Sequence, residues 1–195
     1  QKGKAKIVKE LVGQAVEQGI PAKEVLEKGL LAGMDVIGEK FKNNEVFVPE
    51  VLVAARAMNM GAAVLKPLLA DGDQTSAGKV CIGTVKGDLH DIGKNLVALM
   101  LKNHGFHVID LGKDVPQAKI LESAKEHHAE FIALSALMTT TMQRMREIVA
   151  AAKEEGITAK IIIGGAVITQ EYADEIGADG YSKDAADAVK LAKSL

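Results

Sequence analysis

From residue 79 onward, short apolar runs alternate five times with longer amphipathic ones, and no other feature constrains the fold as tightly. Candidate strands lie at 79–85, 106–111, 130–135 and 160–163, with a weak fifth at 179–182. Helical patterns follow them at about 91–104, 116–128, 140–156, 169–177 and 184–193. Runs of four to eight residues rich in Val and Ile, bounded by glycine and polar turns, are the signature of strands buried on both faces. Parallel strands need a crossover between them, so five such units imply a parallel sheet with helices on both sides.

The first seventy or so residues have a different period. Ile7, Val8, Leu11, Val12, Ala15 and Val16 fall at helical spacing, and Gly19 with Pro21 closes this helix and opens the next. The second predicted helix carries a stripe of Ala22, Leu26, Leu30, Met34, Ile37 and Phe41 and ends near Lys42, before the turn-forming Asn43-Asn44. Pro49 restarts a helix whose apolar spacing runs through Leu69, with Gly61 as a candidate break and Pro67 as a bend. Asp71–Gly78, DGDQTSAG, is polar and aperiodic. The expected organisation is therefore an all-α helical bundle over 1–72, a linker over 73–78 and an α/β domain over 79–195.

In an open parallel sheet, ligands bind outside the carboxyl ends of the strands where the strand order reverses. For the flavodoxin-like order 2-1-3-4-5 that place is between strands one and three. Strand one ends in Gly87-Asp88-Leu89-His90-Asp91-Ile92-Gly93, and strand three runs through Ser135 into Leu137, Met138, Thr139 and Thr141. Strand four ends in Gly164-Gly165-Ala166. A carboxylate two residues before an imidazole is a ligand or acid/base pair, Gly93 admits a bulky group near the backbone, and the paired glycines leave room between backbone segments. Taken alone, Ser135 and the threonines read as caps for the helix that begins near Thr140, and Gly87 and Gly93 as turn residues.

Composition narrows the function. With 24 Lys and Arg against 26 Asp and Glu, a net charge of −2 and no basic cluster, the electrostatic footprint of a nucleic-acid binder is missing. The one cysteine, Cys81, lies inside an apolar strand and reads as a small core residue, which excludes an internal disulfide and suits a reducing cytoplasm. No N-terminal apolar segment and no stretch of about 18 apolar residues is apparent, so secretion and membrane spanning lack a signal. His104, His107, His127 and His128 have no motif context and are assigned no function.

Asp88-x-His90-x-x-Gly93, Ser135-x-Leu137 and Gly164-Gly165, in that order and each at a strand end, resemble the cobalamin-binding signature of methionine synthase and of the small corrinoid proteins of methyltransferase systems. The preceding bundle resembles the helical cap module of the same proteins. The resemblance implies a Rossmann-like domain holding a cobamide whose own base is displaced from cobalt. His90 would be the lower axial ligand and metal-binding residue, with Asp88 its partner and Thr141 standing where methionine synthase has a serine. Ser135, Leu137, Thr139, Gly164 and Gly165 would enclose its nucleotide tail, and Leu89, Asp91, Ile92, Gly93, Met138 and Ala166 would also bind the cofactor. Phe41 and Val48 match apolar cap residues over the upper corrin face, with valine in place of leucine.

The implied function is that of a methyl carrier cycling between Co(I) and methyl-Co(III). It would work between a donor-specific methyltransferase and an acceptor methyltransferase directed to tetrahydrofolate or a thiol, with a reductive activator as a further partner. A barrel-type methyltransferase domain is absent from 195 residues, so the chain reads as a subunit of such a system rather than a complete enzyme. Two alternatives share the motifs. A cobalamin-dependent sensor or regulator needs an output module, and the chain has no tryptophan of the kind that caps photosensing relatives. The small subunit of an adenosylcobalamin mutase usually lacks the helical cap.

Overall fold

The computed structural model describes residues 3–68 and 77–195, so Leu69 and positions 73–76 of the expected linker lie outside the described residues. Two compact units emerge, one of N-terminal helices and one α/β.

In the helical unit, α1 spans Ala5–Glu17, and a continuous rod follows made of α2 (Ala22–Glu24), a π-helical segment (Val25–Leu31) and α3 (Ala32–Lys42). The rod covers the second predicted helix, but its apolar phase differs. Val25 and Leu30 are buried, five residues apart, whereas Leu26 is half-buried. A wider turn accommodates that step, which a 3.6-residue period would not. α4 runs unbroken over Val48–Leu65 and ends in a short 3-10 turn, Lys66–Leu68. Pro49 sits in its first turn, where a missing N–H costs nothing. The expected break at Gly61 does not occur. A Cβ there would lie 3.0 Å from both Val8 of α1 and Leu30 of the π segment, so this glycine is a contact surface between helices. By length and composition α4 is apolar enough to cross a membrane, which corrects the expectation that no such stretch exists. Seven of its residues, Val51 and Leu65 among them, are buried within the unit, as in the core helix of a bundle.

The α/β unit holds a five-stranded sheet of order β2-β1-β3-β4-β5, with β1 Lys79–Thr84, β2 His107–Asp110, β3 Phe131–Ser135, β4 Lys160–Gly164 and β5 Gly180–Ser182. Every pairing is parallel, with Thr84 opposite Ser135 and Ser135 opposite Gly164. The helices are α5 Ile92–Asn103, α6 Gln117–Glu126, α7 Thr139–Glu154, α8 Gln170–Ile176 and α9 Ala185–Ser194. Strands and helices thus fall where the alternation puts them. Ile132, Ile163 and Cys81 are fully buried in the core, and burial pushes the Cys81 thiol up to about 11, as befits an inert core residue.

Candidate functional site

The reversal of strand order lies between β1 and β3, and Asp88, in the loop that follows β1, has no solvent exposure. A buried carboxylate is tolerated only with its lone pairs satisfied. Oδ1 accepts from the His90 backbone N–H at 3.0 Å and faces His90 Nδ1 at 2.7 Å. Oδ2 accepts from the N–H groups of Leu137 at 2.8 Å and Met138 at 3.3 Å. Thr141 Oγ1 lies 2.8 Å from Oδ2 and 2.9 Å from the Met138 carbonyl; its single proton favours the charged acceptor. Burial alone would push the Asp88 carboxyl up, but the donors from Leu137, His90 and Thr141 outweigh it and hold the group well below the usual carboxylate range. Asp88 is therefore ionised and can only accept. His90 Nδ1 must carry the proton between them, which leaves the Nε2 lone pair of a neutral ring free.

The start of α7 explains why this carboxylate is placed here. α8 opens on Thr169, whose hydroxyl accepts from the Tyr172 N–H, and α9 opens on Asp184, which accepts from Ala186 and Asp187. α7 has no cap of its own: Met138 occupies the cap position without a side-chain bond. The reading of Ser135 and the threonines as caps of this helix is corrected, because Asp88 reaches across from the β1 loop and supplies the anion. A bond from Thr84 Oγ1 to the His90 carbonyl, 3.1 Å, fixes the far side of the loop.

The His90 side chain is 53% exposed, and Leu89, Ile92 and Leu137 around it are exposed apolar residues at 63%, 81% and 40%. A Cβ on Gly93 would meet no protein atom within 4 Å, so the space there is open. Gly164 and Gly165 are glycines for a different reason. A Cβ on Gly165, at φ +137°, would lie 1.9 Å from the Ala136 carbonyl oxygen, and one on Gly164 would lie 3.0 Å from that of Ser182. Neighbouring backbone fills the Cβ direction of both glycines. Ser135 and Met138 are half-buried beside these strand ends, and Thr139 and Ala166 are exposed. Phe41, half-buried near the end of α3, and Val48, the first residue of α4, belong to the helical unit.

Sequence reasoning does not single out the Leu137 and Met138 peptide N–H groups, since every residue but proline carries one. It also passes over Asp114, whose Oδ1 accepts from Gly87 N at 2.8 Å and whose only sequence signal is a Lys-Asp pair ahead of a proline.

Among the described residues no three His, Cys, Asp or Glu side chains converge to hold a metal ion. An exposed imidazole with its second nitrogen anchored suits a metal that already has most of its ligands, as in a macrocycle, and an apolar rim suits the macrocycle's edge. The donor set therefore fits a corrinoid.

A family model described as a B12 binding domain matches residues 78–190, and a second of the same description matches residues 1–66. The chain belongs to the family of B12-binding corrinoid proteins. It is 46% identical over 192 residues to dimethylamine corrinoid protein 3 of Methanosarcina acetivorans, covering 96% of this chain and 90% of that one. Among solved structures it is similar to a cobalamin-binding protein from Desulfitobacterium hafniense, with TM-score 0.85 and 35% identity, covering 98% of this chain and 92% of that one. It is also similar to a chain of the methanol:cobalamin methyltransferase complex of Methanosarcina barkeri, with TM-score 0.84 and 32% identity, covering 98% of this chain and 74% of that one. The sensor and mutase alternatives are not favoured by these relatives.

Proposed function

We propose that this chain is the methyl-carrying corrinoid subunit of a methylamine-dependent methyltransferase system. The observation that carries the reading is the half-exposed His90 ring, held through Nδ1 by a buried, ionised Asp88 so that Nε2 is left free, in a loop that also exposes Leu89 and Ile92. When bound, a cobamide supplies a cobalt centre able to take up and give up a methyl group. The chain's own residues then do the following. His90 Nε2 would be the protein atom that holds the cobalt. Asp88 fixes the ring's tautomer and direction, and Thr141 helps to hold Asp88. Leu89, Asp91, Ile92, Gly93, Met138 and Ala166 would contact the cofactor, and Ser135, Leu137, Thr139, Gly164 and Gly165 would hold its nucleotide tail. Phe41 and Val48 serve as cap residues of the helical unit, which spans 1–72, with 73–78 as linker and 79–195 as the corrinoid domain.

A donor-specific methyltransferase would deliver the methyl group, and a second, directed to tetrahydrofolate or a thiol, would remove it, with a reductive activator in attendance and the cytoplasm as the compartment. A methylamine donor is favoured because the dimethylamine relative is 46% identical over 96% of the chain. The decisive experiment loads the protein with cobalamin, reduces it to the Co(II) state and records the EPR spectrum with and without nitrogen-15 histidine. Isotope-dependent superhyperfine splitting, lost in His90→Ala, is the expected result. A spectrum indifferent to the label excludes His90 as ligand. Reconstitution with methyltransferases for mono-, di- and trimethylamine and for methanol then assigns the donor by which pair turns over.

A further inference from the structure

The β1–α5 loop that carries Asp88 and His90 is not held by its own strand alone. Asp114, in the β2–α6 loop, bonds to three successive residues of it. Its Oδ2 accepts from Lys86 Nζ at 3.0 Å, its Oδ1 accepts from the Gly87 N–H at 2.8 Å, and its own N–H donates to the Asp88 carbonyl at 3.1 Å. Asp114 does this from a left-handed backbone, φ +55°, a conformation that aspartate tolerates better than most residues. Gly87 opposite it is also left-handed, at φ +86°.

The β2–α6 loop is itself anchored from both ends. Val115 N donates to the Thr84 carbonyl and Thr84 N to the Gly112 carbonyl, each at 3.0 Å, which continues the ladder past the strand ends. Asp110 Oδ1 accepts from Gly112 N at 2.9 Å and from Lys94 Nζ at 2.5 Å, and Lys94 is buried in the first turn of α5, four residues after His90. The ring of contacts is closed: His90, α5, Lys94, Asp110, the β2–α6 loop, Asp114, Asp88, His90.

We propose that Asp114 is a positioning residue for the corrinoid's histidine ligand: by tying Lys86, Gly87 and the Asp88 carbonyl to the β2–α6 loop, it sets the backbone from which Asp88 orients the His90 ring. The inference rests on His90 being the ligand. Asp114 touches neither His90 nor the cobalt site; it acts through Asp88. Asn at this position keeps a left-handed backbone and one oxygen for Gly87, Gly keeps the backbone but no side chain, and Ala loses both.

The test uses full-length protein in two arms. In the cofactor-free arm, ring-nitrogen shifts of His90 in nitrogen-15 histidine-labelled protein are read by long-range proton–nitrogen correlation, above the imidazole's titration. The parent and Asp114→Asn are expected to show one tautomer, protonated at Nδ1, whereas Asp114→Gly shows shifts averaged between the two ring nitrogens. In the loaded arm, Asp114→Gly is expected to weaken cobalamin binding about tenfold, the lower end of what outer partners of a metal ligand contribute, and to lower the fraction of Co(II) protein with a histidine nitrogen in its EPR spectrum. Asp114→Asn restores both. Asp114→Ala should resemble Asp114→Gly; if it fails to fold, the Gly and Asn variants decide the matter. An Asp114→Gly protein that melts lower but keeps the parent's tautomer and affinity has lost only a stabilising contact, and that result overturns the proposal. A parent whose EPR spectrum lacks a histidine nitrogen overturns the ligand assignment instead, and the cofactor-free arm still judges Asp114 on its own.

Discussion

Asp88 concentrates most of what this site does into two oxygen atoms. Its donors come from His90, Leu137, Met138 and Thr141, so replacing it by Asn puts an amide NH2 where N–H and O–H groups already point. Buried donors left without acceptors cost about 1–3 kcal/mol apiece, so Asp88→Asn is expected to lower stability by about 3 kcal/mol in urea unfolding of the cofactor-free protein. The sign of the pH dependence follows from the lowered carboxyl. Its stabilisation is present above the unfolded value of about 4 and is lost as pH falls below it. Between pH 5 and the acid range the parent should therefore lose stability more steeply than Asp88→Asn, and equal slopes would show that the carboxylate is not held ionised by the fold. The pairing of Asp88 and His90 is legible in the sequence because they are near neighbours in a strand-end loop, whereas Thr141, in the first turn of α7 and two helices further on than α5, enters only through the family resemblance. The peptide N–H donors are not legible, because no side chain announces them.

Among elements, the β3–α7 and β4–α8 junctions are packed to the limit. The Gly165 Cβ position lies 1.9 Å from a backbone oxygen, and φ is +137°, so neither a rotamer change nor a small shift relieves an added methyl group. Gly165→Ala is expected to cost about 3 kcal/mol or more by chemical denaturation, and a parent-like midpoint with an unchanged m-value would refute this account of the glycine. The five strands and their helices are legible because each is a run long enough for its period to show. The π segment is not: Val25 and Leu26 are both apolar, and a helical stripe runs equally well through either. The continuity of α4 is misread for a related reason, since a glycine that admits a neighbouring helix looks in sequence like one that ends its own.

For the molecule as a whole, binding and folding are linked. A ligand that binds only the folded chain stabilises it by about 2.7 kcal/mol at a hundredfold excess over Kd. Cobalamin should raise the melting transition of the parent accordingly. His90→Ala, which removes a half-exposed ring, should leave the cofactor-free protein within about 1 kcal/mol of the parent yet shrink the cobalamin-dependent rise. An undiminished rise would mean that the corrinoid is held without the histidine. The order of an all-helical and an α/β half is legible from the change of period near residue 79, whereas no comparable mark in the sequence identifies the methyl donor proposed for it.

One arrangement has a mechanical side. Since Asp88 occupies the start of α7, the imidazole is mounted on the end of a 16-residue rod whose Met145, Ile148 and Val149 are wedged in the core. A ring on a free loop jitters with the loop; this one jitters only as far as sheet and rod allow. The ordering of the ring is thus completed during folding, and an arriving ligand meets a nitrogen already at rest, so little further entropy is lost when the bond forms.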